Sequence, residues 1–176
     1  MKVKMRVCFL FIVIGAVFKG FFCIPSITYA EAEHYQKADK IIVYKSKHEL
    51  QLLHQGKVIK SYAVALGKQP QGPKTQQGDN KTPEGLYTID ARNSQSRFYK
   101  ALHISYPNQK DRGQARRVNV NPGGDILIHG LPNALGFLGR LHLFLDWTKG
   151  CIAVTNQEID EIWQLVDNGT PIEIRP

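Results

Sequence analysis

The stretch IIVYKSKHELQLLHQGKVIKSYAVAL, residues 41–66, decides the fold class. It holds an apolar run at Ile41-Ile42-Val43-Tyr44 and a second from Glu49 to Leu53. Gln55-Gly56 then supplies a turn into Lys57 to Leu66, where Val58, Tyr62 and Val64 are strand formers. The pattern predicts antiparallel strands and a hairpin.

The next stretch, Gly67 to Gly85, carries four Gly and three Pro among polar residues, which predicts a long irregular loop. Loops of this length inside a compact domain are uncommon and often functional. Strand-like runs resume at Leu86 to Ile89, Leu102 to Tyr106 and Ile126 to His129, and Arg112 to Arg117 reads as a solvated basic loop. Pro132 to Asp146 spaces its leucines partly as a helix would but includes glycines, so a short or broken helix is expected. Thr155 and Glu158 match a capping box, and Ile159, Ile162, Trp163 and Val166 share one helical face. Asn168-Gly169 and Pro171 should end that helix before a last strand at Ile172 to Ile174. The sum is a mainly β domain over residues 41–175, with one or two short helices near its C-terminal half.

Upstream, Glu31 to Lys40 is a polar linker. Lys2, Lys4 and Arg6 precede an uncharged apolar run, Val7 to Phe18, and Thr28-Tyr29-Ala30 offers small residues before a cut. Residues 1–30 are therefore expected to be a signal peptide, placing the protein in the periplasm or cell envelope. The run falls short of the ~20 residues that span a bilayer. Adding Phe21 to Ile24 lengthens it, so an uncleaved membrane anchor is the alternative.

The formal net charge is +8. Lys2, Lys4, Arg6 and Lys19 supply four of those charges, and no Asp or Glu precedes Glu31, leaving +4 on the rest. A basic surface suits an anionic wall or membrane, or simply solvation. No basic stripe with interleaved aromatics appears, so nucleic acid is not the expected partner.

Cys8 and Cys23 lie in the export segment, which leaves Cys151 without an intramolecular disulfide partner. A lone buried cysteine is commonly an inert small hydrophobe. Its setting, Asp146-Trp147-Thr148-Lys149-Gly150-Cys151-Ile152, favours a nucleophile instead. The thiolate is the reactive form, and an ordinary pKa of ~8.5 leaves little of it at neutral pH. A histidine that takes the proton solves this, as in Cys–His acyl transfer. His129 is the best placed, ending the strand Asp125-Ile126-Leu127-Ile128 beside Gly130. Gly150 would let the chain bend so that backbone N–H groups face a developing oxyanion. A zinc site from His129, His142 and Cys151, with Asp146 as fourth ligand, is the competing reading, but the short-spaced ligand pairs of structural zinc are missing. Neither a metal nor an organic cofactor is expected.

His129-Gly130 followed about twenty residues later by Thr148-Lys149-Gly150-Cys151-Ile152 resembles the signature of the L,D-transpeptidase catalytic domain, the YkuD-type fold. Tyr62 to Gly67, Lys81-Thr82-Pro83-Glu84-Gly85-Leu86-Tyr87, His103 to Pro107 and Gly169 to Ile174 resemble the same family. The resemblance implies a β-sandwich with a cleft over the cysteine and peptidoglycan stem peptides as substrate. It implies Cys151 as nucleophile and His129 as base and acid. Thr148, Gly150 and Gly130 would shape the site, and a main-chain carbonyl would serve as the histidine's partner. The thiolate would attack the third stem residue, expel D-alanine, and pass the acyl group to an amine or to water. Carbapenem-type inhibitors would acylate the same thiol. Arg97 and Lys149 are candidate holders of substrate carboxylates. Ala153 stands where many members carry Arg or Asn, which leaves the acceptor open. Cross-linking, hydrolysis that trims stems or releases a wall-anchored protein, and a non-catalytic wall-binding module are the three functional outcomes.

Overall fold

The computed structural model describes residues 36–176, and the expected signal peptide and residues 31–35 of the linker lie outside them. Strands β1 (Lys40–Tyr44), β2 (Glu49–His54) and β3 (Lys57–Ala63) form the expected antiparallel meander. The following strands are β4 (Gly85–Ser96), β5 (Tyr99–Ile104), β6 (Leu127–His129), β7 (Ile152–Ala153) and β8 (Pro171–Arg175). The hydrogen-bonded order is β3-β2-β1-β8-β4-β5-β6-β7.

β4 is the pivot of this arrangement. Its first four residues pair with β8, Gly85 opposite Ile174 through Thr88 opposite Pro171. From Ile89 onward it pairs with β5, with register shifts on both sides of the Ala91–Asn93 stretch. Such bulges raise local twist and bend a strand, and the sheet folds into two halves there. At the far edge, Ala65 and Ala153 exchange both backbone hydrogen bonds, at 2.9 and 2.8 Å, which brings the segment after β3 back to β7. The two halves enclose one core. Ile41, Leu50 and Leu52 come from one half, Leu102, Ile104, Ile128 and Ile152 from the other. The mainly β sandwich is therefore the observed architecture.

Two helices complete it. α2 (Asn156–Leu165) starts at the Thr155–Glu158 capping box and buries Ile159, Ile162 and Leu165. It stops at Leu165, where Val166 turns extended, rather than running on to Asn168-Gly169. α1 (Gln109–Arg117) corrects the expectation of a solvated loop. Only Ala115 is buried, so no apolar stripe announces it. Its support is terminal instead. Asn108 Oδ1 accepts from the N–H groups of Lys110 and Asp111 at 2.9 and 3.1 Å, and Asp111 Oδ2 accepts from Asn108 N–H at 2.9 Å. Arg116 and Arg117 sit in the last turn, where cations favour the helix dipole. The 132–146 segment is a 3-10 stretch, Gly136–Phe144, broken at Gly139, whose φ is 48°.

Candidate active site

β6 and β7 run parallel, with Ile128 opposite Ile152 and His129 opposite Ala153. Continuing that register by one residue sets Cys151 in line with Leu127. Side chains two apart on a strand share a face, so Cys151 and His129 look into the same space. That space is a cleft of about 910 Å³, lined by Cys151, His129, Thr148, Lys149, Arg97 and Trp147 among others. The long Gly-rich loop contributes Lys74, Gln77 and Gly78 to it, and the β4–β5 hairpin contributes Asn93, Ser96, Arg97 and Phe98.

His129 is almost wholly buried, at 1% exposure, rather than open at a strand end. Its ring stacks on Phe98 with centroids 4.3 Å apart and meets Trp147 edge-on at 5.7 Å. Nδ1 lies 2.6 Å from the Gly130 carbonyl. A carbonyl only accepts, so Nδ1 carries the proton and Nε2 keeps its lone pair. Burial pushes this imidazole down to about 4; the Gly130 hydrogen bond opposes the shift, and the charges of His142 and Arg97 add to it. Gly130 permits the approach, since a Cβ there would stand 2.6 Å from Asn156 Oδ1 and 3.2 Å from the Phe98 carbonyl.

Cys151 is half-buried, and its Sγ lies 3.5 Å from the Asp125 carbonyl. Burial pushes the thiol up; the Leu127 backbone N–H opposes, Asp125 adds, and Arg97 and Lys74 pull it back. Burial thus disfavours the charged form of both groups, raising the thiol and lowering the imidazole.

The turn before the cysteine is fixed by Thr148. Its hydroxyl donates to the Cys151 carbonyl at 2.8 Å and accepts from Gly150 N–H at 3.0 Å. The Gly150 N–H is thus engaged within the turn. Thr148 N–H donates to the Leu66 carbonyl at 3.1 Å and the Thr148 carbonyl accepts from Lys68 N–H at 3.1 Å, pinning the turn to the segment after β3. Gly150 has φ +127°, and a Cβ there would fall 2.6 Å from the Lys81 carbonyl. Gly150→Ala should accordingly destabilise the fold by on the order of 3 kcal/mol, read from urea unfolding. An unchanged midpoint would show that this turn tolerates another conformation.

The four side chains of the zinc reading do not converge. Asp146 accepts from Leu66 N–H at 2.8 Å and pairs with His48 at 2.9 Å, and His142 Nδ1 accepts from Trp147 Nε1–H at 3.3 Å. Among the described residues no three His, Cys, Asp or Glu side chains gather as a metal-ligand group. Arg97 and Lys149 both line the cleft and are exposed, with the Arg97 guanidinium 4.9 Å from the Phe98 ring centroid. Ala153 is fully buried against Ala65. Sequence reasoning did not single out the stacking of Phe98 on His129, Trp147 as a wall of the histidine, or Lys74. Only the neighbourhood of Trp147 to the cysteine motif could have signalled one of them.

A buried histidine at the end of β6 and a cysteine just before β7 thus line one cleft of a β-sandwich. The family model described as YkuD, the L,D-transpeptidase catalytic domain, matches residues 38–174, and the chain belongs to this family. YafK of Escherichia coli (strain K12), provisionally named an L,D-transpeptidase, is 33% identical over 132 residues, covering 72% of this chain and 46% of that protein. The helical cell shape determining protein Pgp2 of Campylobacter jejuni has a similar structure, with TM-score 0.61 and 26% identity over 80% of this chain and 48% of that one. Bd1075 of Bdellovibrio bacteriovorus follows at TM-score 0.54 and 26% identity, covering 80% and 51%. The chain spans about half the length of these relatives.

Proposed function

We propose that this protein is a cysteine-dependent L,D-transpeptidase of the cell envelope, acting on peptidoglycan stem peptides through a thioester. The observation that carries the reading is the placement of Cys151 and His129 on one face of β6 and β7, with Gly130 O fixing the imidazole tautomer. His129 Nε2 takes the thiol proton as Sγ attacks the carbonyl of the third stem residue. The Gly130 carbonyl holds Nδ1–H and steadies the imidazolium that forms. The amide bond then breaks, the proton passes to the departing D-alanine amine, and the acyl group remains on Sγ. An amine from a second stem, deprotonated by His129, attacks the thioester and restores the thiol. Thr148 and Gly150 hold the turn that presents the nucleophile. The name of Pgp2 ties a similar structure to cell shape, which agrees with wall remodelling as the outcome.

Transfer requires room for two peptides, and the cleft of about 910 Å³ supports it. One observation favours a second reading, in which water is the acceptor and stems are trimmed or a wall-anchored protein is released. Ala153 is buried and apolar where many members carry a polar residue near the nucleophile. Incubation with tetrapeptide muropeptides, with and without a D-amino acid acceptor, separates the two. Exchanged or cross-linked products are expected; tripeptides alone would make the protein a hydrolase.

A further inference from the structure

We propose that Lys74, a buried lysine at the cleft wall, binds the free α-carboxylate of the residue that leaves the stem peptide. Lys74 thereby selects terminal over capped or internal positions. The inference rests on the acyl-transfer reading of Cys151 and names what that site requires of its donor.

Two lysines in this domain are buried, and they differ in a telling way. Lys45 spends all three ammonium N–H groups inside the protein, on the carbonyls of Gly72 at 2.7 Å and Thr82 at 2.9 Å and on Glu84 Oε1 at 2.8 Å. That is a structural lysine, lining no part of the cleft. Lys74 is equally buried, its side chain 3% exposed, yet it lines the same cleft as Cys151. Its Nζ donates to Asp79 Oδ1 at 2.7 Å and to the Gln76 carbonyl at 3.0 Å. An ammonium has three N–H groups, and the third has no partner among the described residues.

Asp79 balances the charge of this ammonium but takes only one of its N–H groups. The Asp79 carboxylate also accepts from the backbone N–H groups of Thr75 at 2.8 Å, Gln76 at 3.1 Å and Lys81 at 3.1 Å. These bonds let Asp79 hold the loop and fix the lysine in place. Lys74 also reaches Cys151 electrostatically, since it is among the charges that pull the thiol down against burial. Lys74, Arg97 and Lys149 face only Asp125 as a charged cleft residue of opposite sign. Arg97 and Lys149 are exposed and must be ordered on binding, whereas Lys74 is already immobilised. A preorganised cation loses little entropy when an anion arrives. The ligand it fits is a small terminal carboxylate close to the scissile bond.

The test compares one tetrapeptide muropeptide as its free acid and as its C-terminal amide. Wild-type protein should show kcat/KM for release of the last residue roughly 10- to 100-fold higher for the acid, the range for a charge-assisted hydrogen bond. Lys74→Met, shown folded by circular dichroism, should bring the ratio to within threefold by slowing the acid alone. Equal rates on both substrates with wild type would overturn the role of Lys74 and leave acyl transfer standing. Full discrimination retained by folded Lys74→Met would also overturn it. Release from neither substrate by wild type would overturn the acyl-transfer reading and this inference with it. Should Lys74→Met fail to fold, wild type labelled with 15N-lysine decides. The Lys74 Nζ resonance should shift with N-acetyl-D-alanine and stay in place with N-acetyl-D-alaninamide; a resonance indifferent to both would sink the assignment.

Discussion

Cys151→Ala should remain folded and form no covalent adduct with a carbapenem, whereas wild type gains the mass of one inhibitor molecule. The loss is expected to be complete. Cys151 is the sole cysteine after residue 23, so no second thiol can substitute. Removal of a half-buried sulfur leaves only a small void, and Thr148, which holds the turn through the Cys151 carbonyl and Gly150 N–H, keeps both partners. The same variant should bind muropeptides without forming a thioester. Intact-mass spectrometry reads both outcomes. An adduct on Cys151→Ala would move the nucleophile elsewhere, and no adduct on folded wild type would favour a wall-binding module.

His129→Ala should slow acylation of Cys151 by roughly two to four orders of magnitude, the range for a positioned acid–base group. The pH dependence gives a sharper signature. A general base acts in its neutral form, which is present above its pKa. Burial lowers the His129 imidazole to about 4, so the acidic limb of the rate should lie near pH 4 and not near the 6.5 of an ordinary histidine. The thiol is shifted in the other direction by burial. Alkylation by iodoacetamide without substrate should therefore rise only above the ordinary cysteine range of ~8.5, with no plateau at neutral pH. A plateau there would mean a preformed ion pair. Folding stability has a matching dependence. A histidine whose folded pKa is lowered contributes stability that is complete above about 6.5 and is lost as pH falls toward 4. His129→Gln, which fills more of the space between Phe98 and Trp147 than Ala, separates the loss of the base from loss of packing. A large loss in His142→Ala with a mild one in His129→Ala would reverse the assignment.

The two halves of this site were legible to different degrees. His129 and Cys151 were visible because each ends or begins an apolar strand run beside a glycine, a pattern that local residues alone produce. Thr155 and Glu158 announced α2 because capping acts between neighbours in sequence. α1 was not visible as a helix, since its polar sequence buries only Ala115 and its cap at Asn108 and Asp111 looks like any loop. A main-chain carbonyl as the histidine's partner was implied by family resemblance, not by residue type, because every residue has a carbonyl; that it is Gly130's came from the fold. Phe98 and Lys74 lie 31 and 55 positions before His129 in the chain. No local rule connects such positions.

By itself, then, the sequence determined most of the strands, the mainly β class and the candidate Cys–His pair, since these follow from short-range pattern and chemistry. Tertiary structure alone decided that the sheet would fold at β4 and which residues of the long glycine-rich loop and the β4–β5 hairpin would line the cleft. It also buried the Cys–His pair, which disfavours the charged form of both groups, and left one ammonium N–H of Lys74 without a partner among the described residues. The reason is physical. Desolvation, ring stacking and the accounting of hydrogen-bond partners depend on which distant segments enclose a group. Only packing brings those segments together.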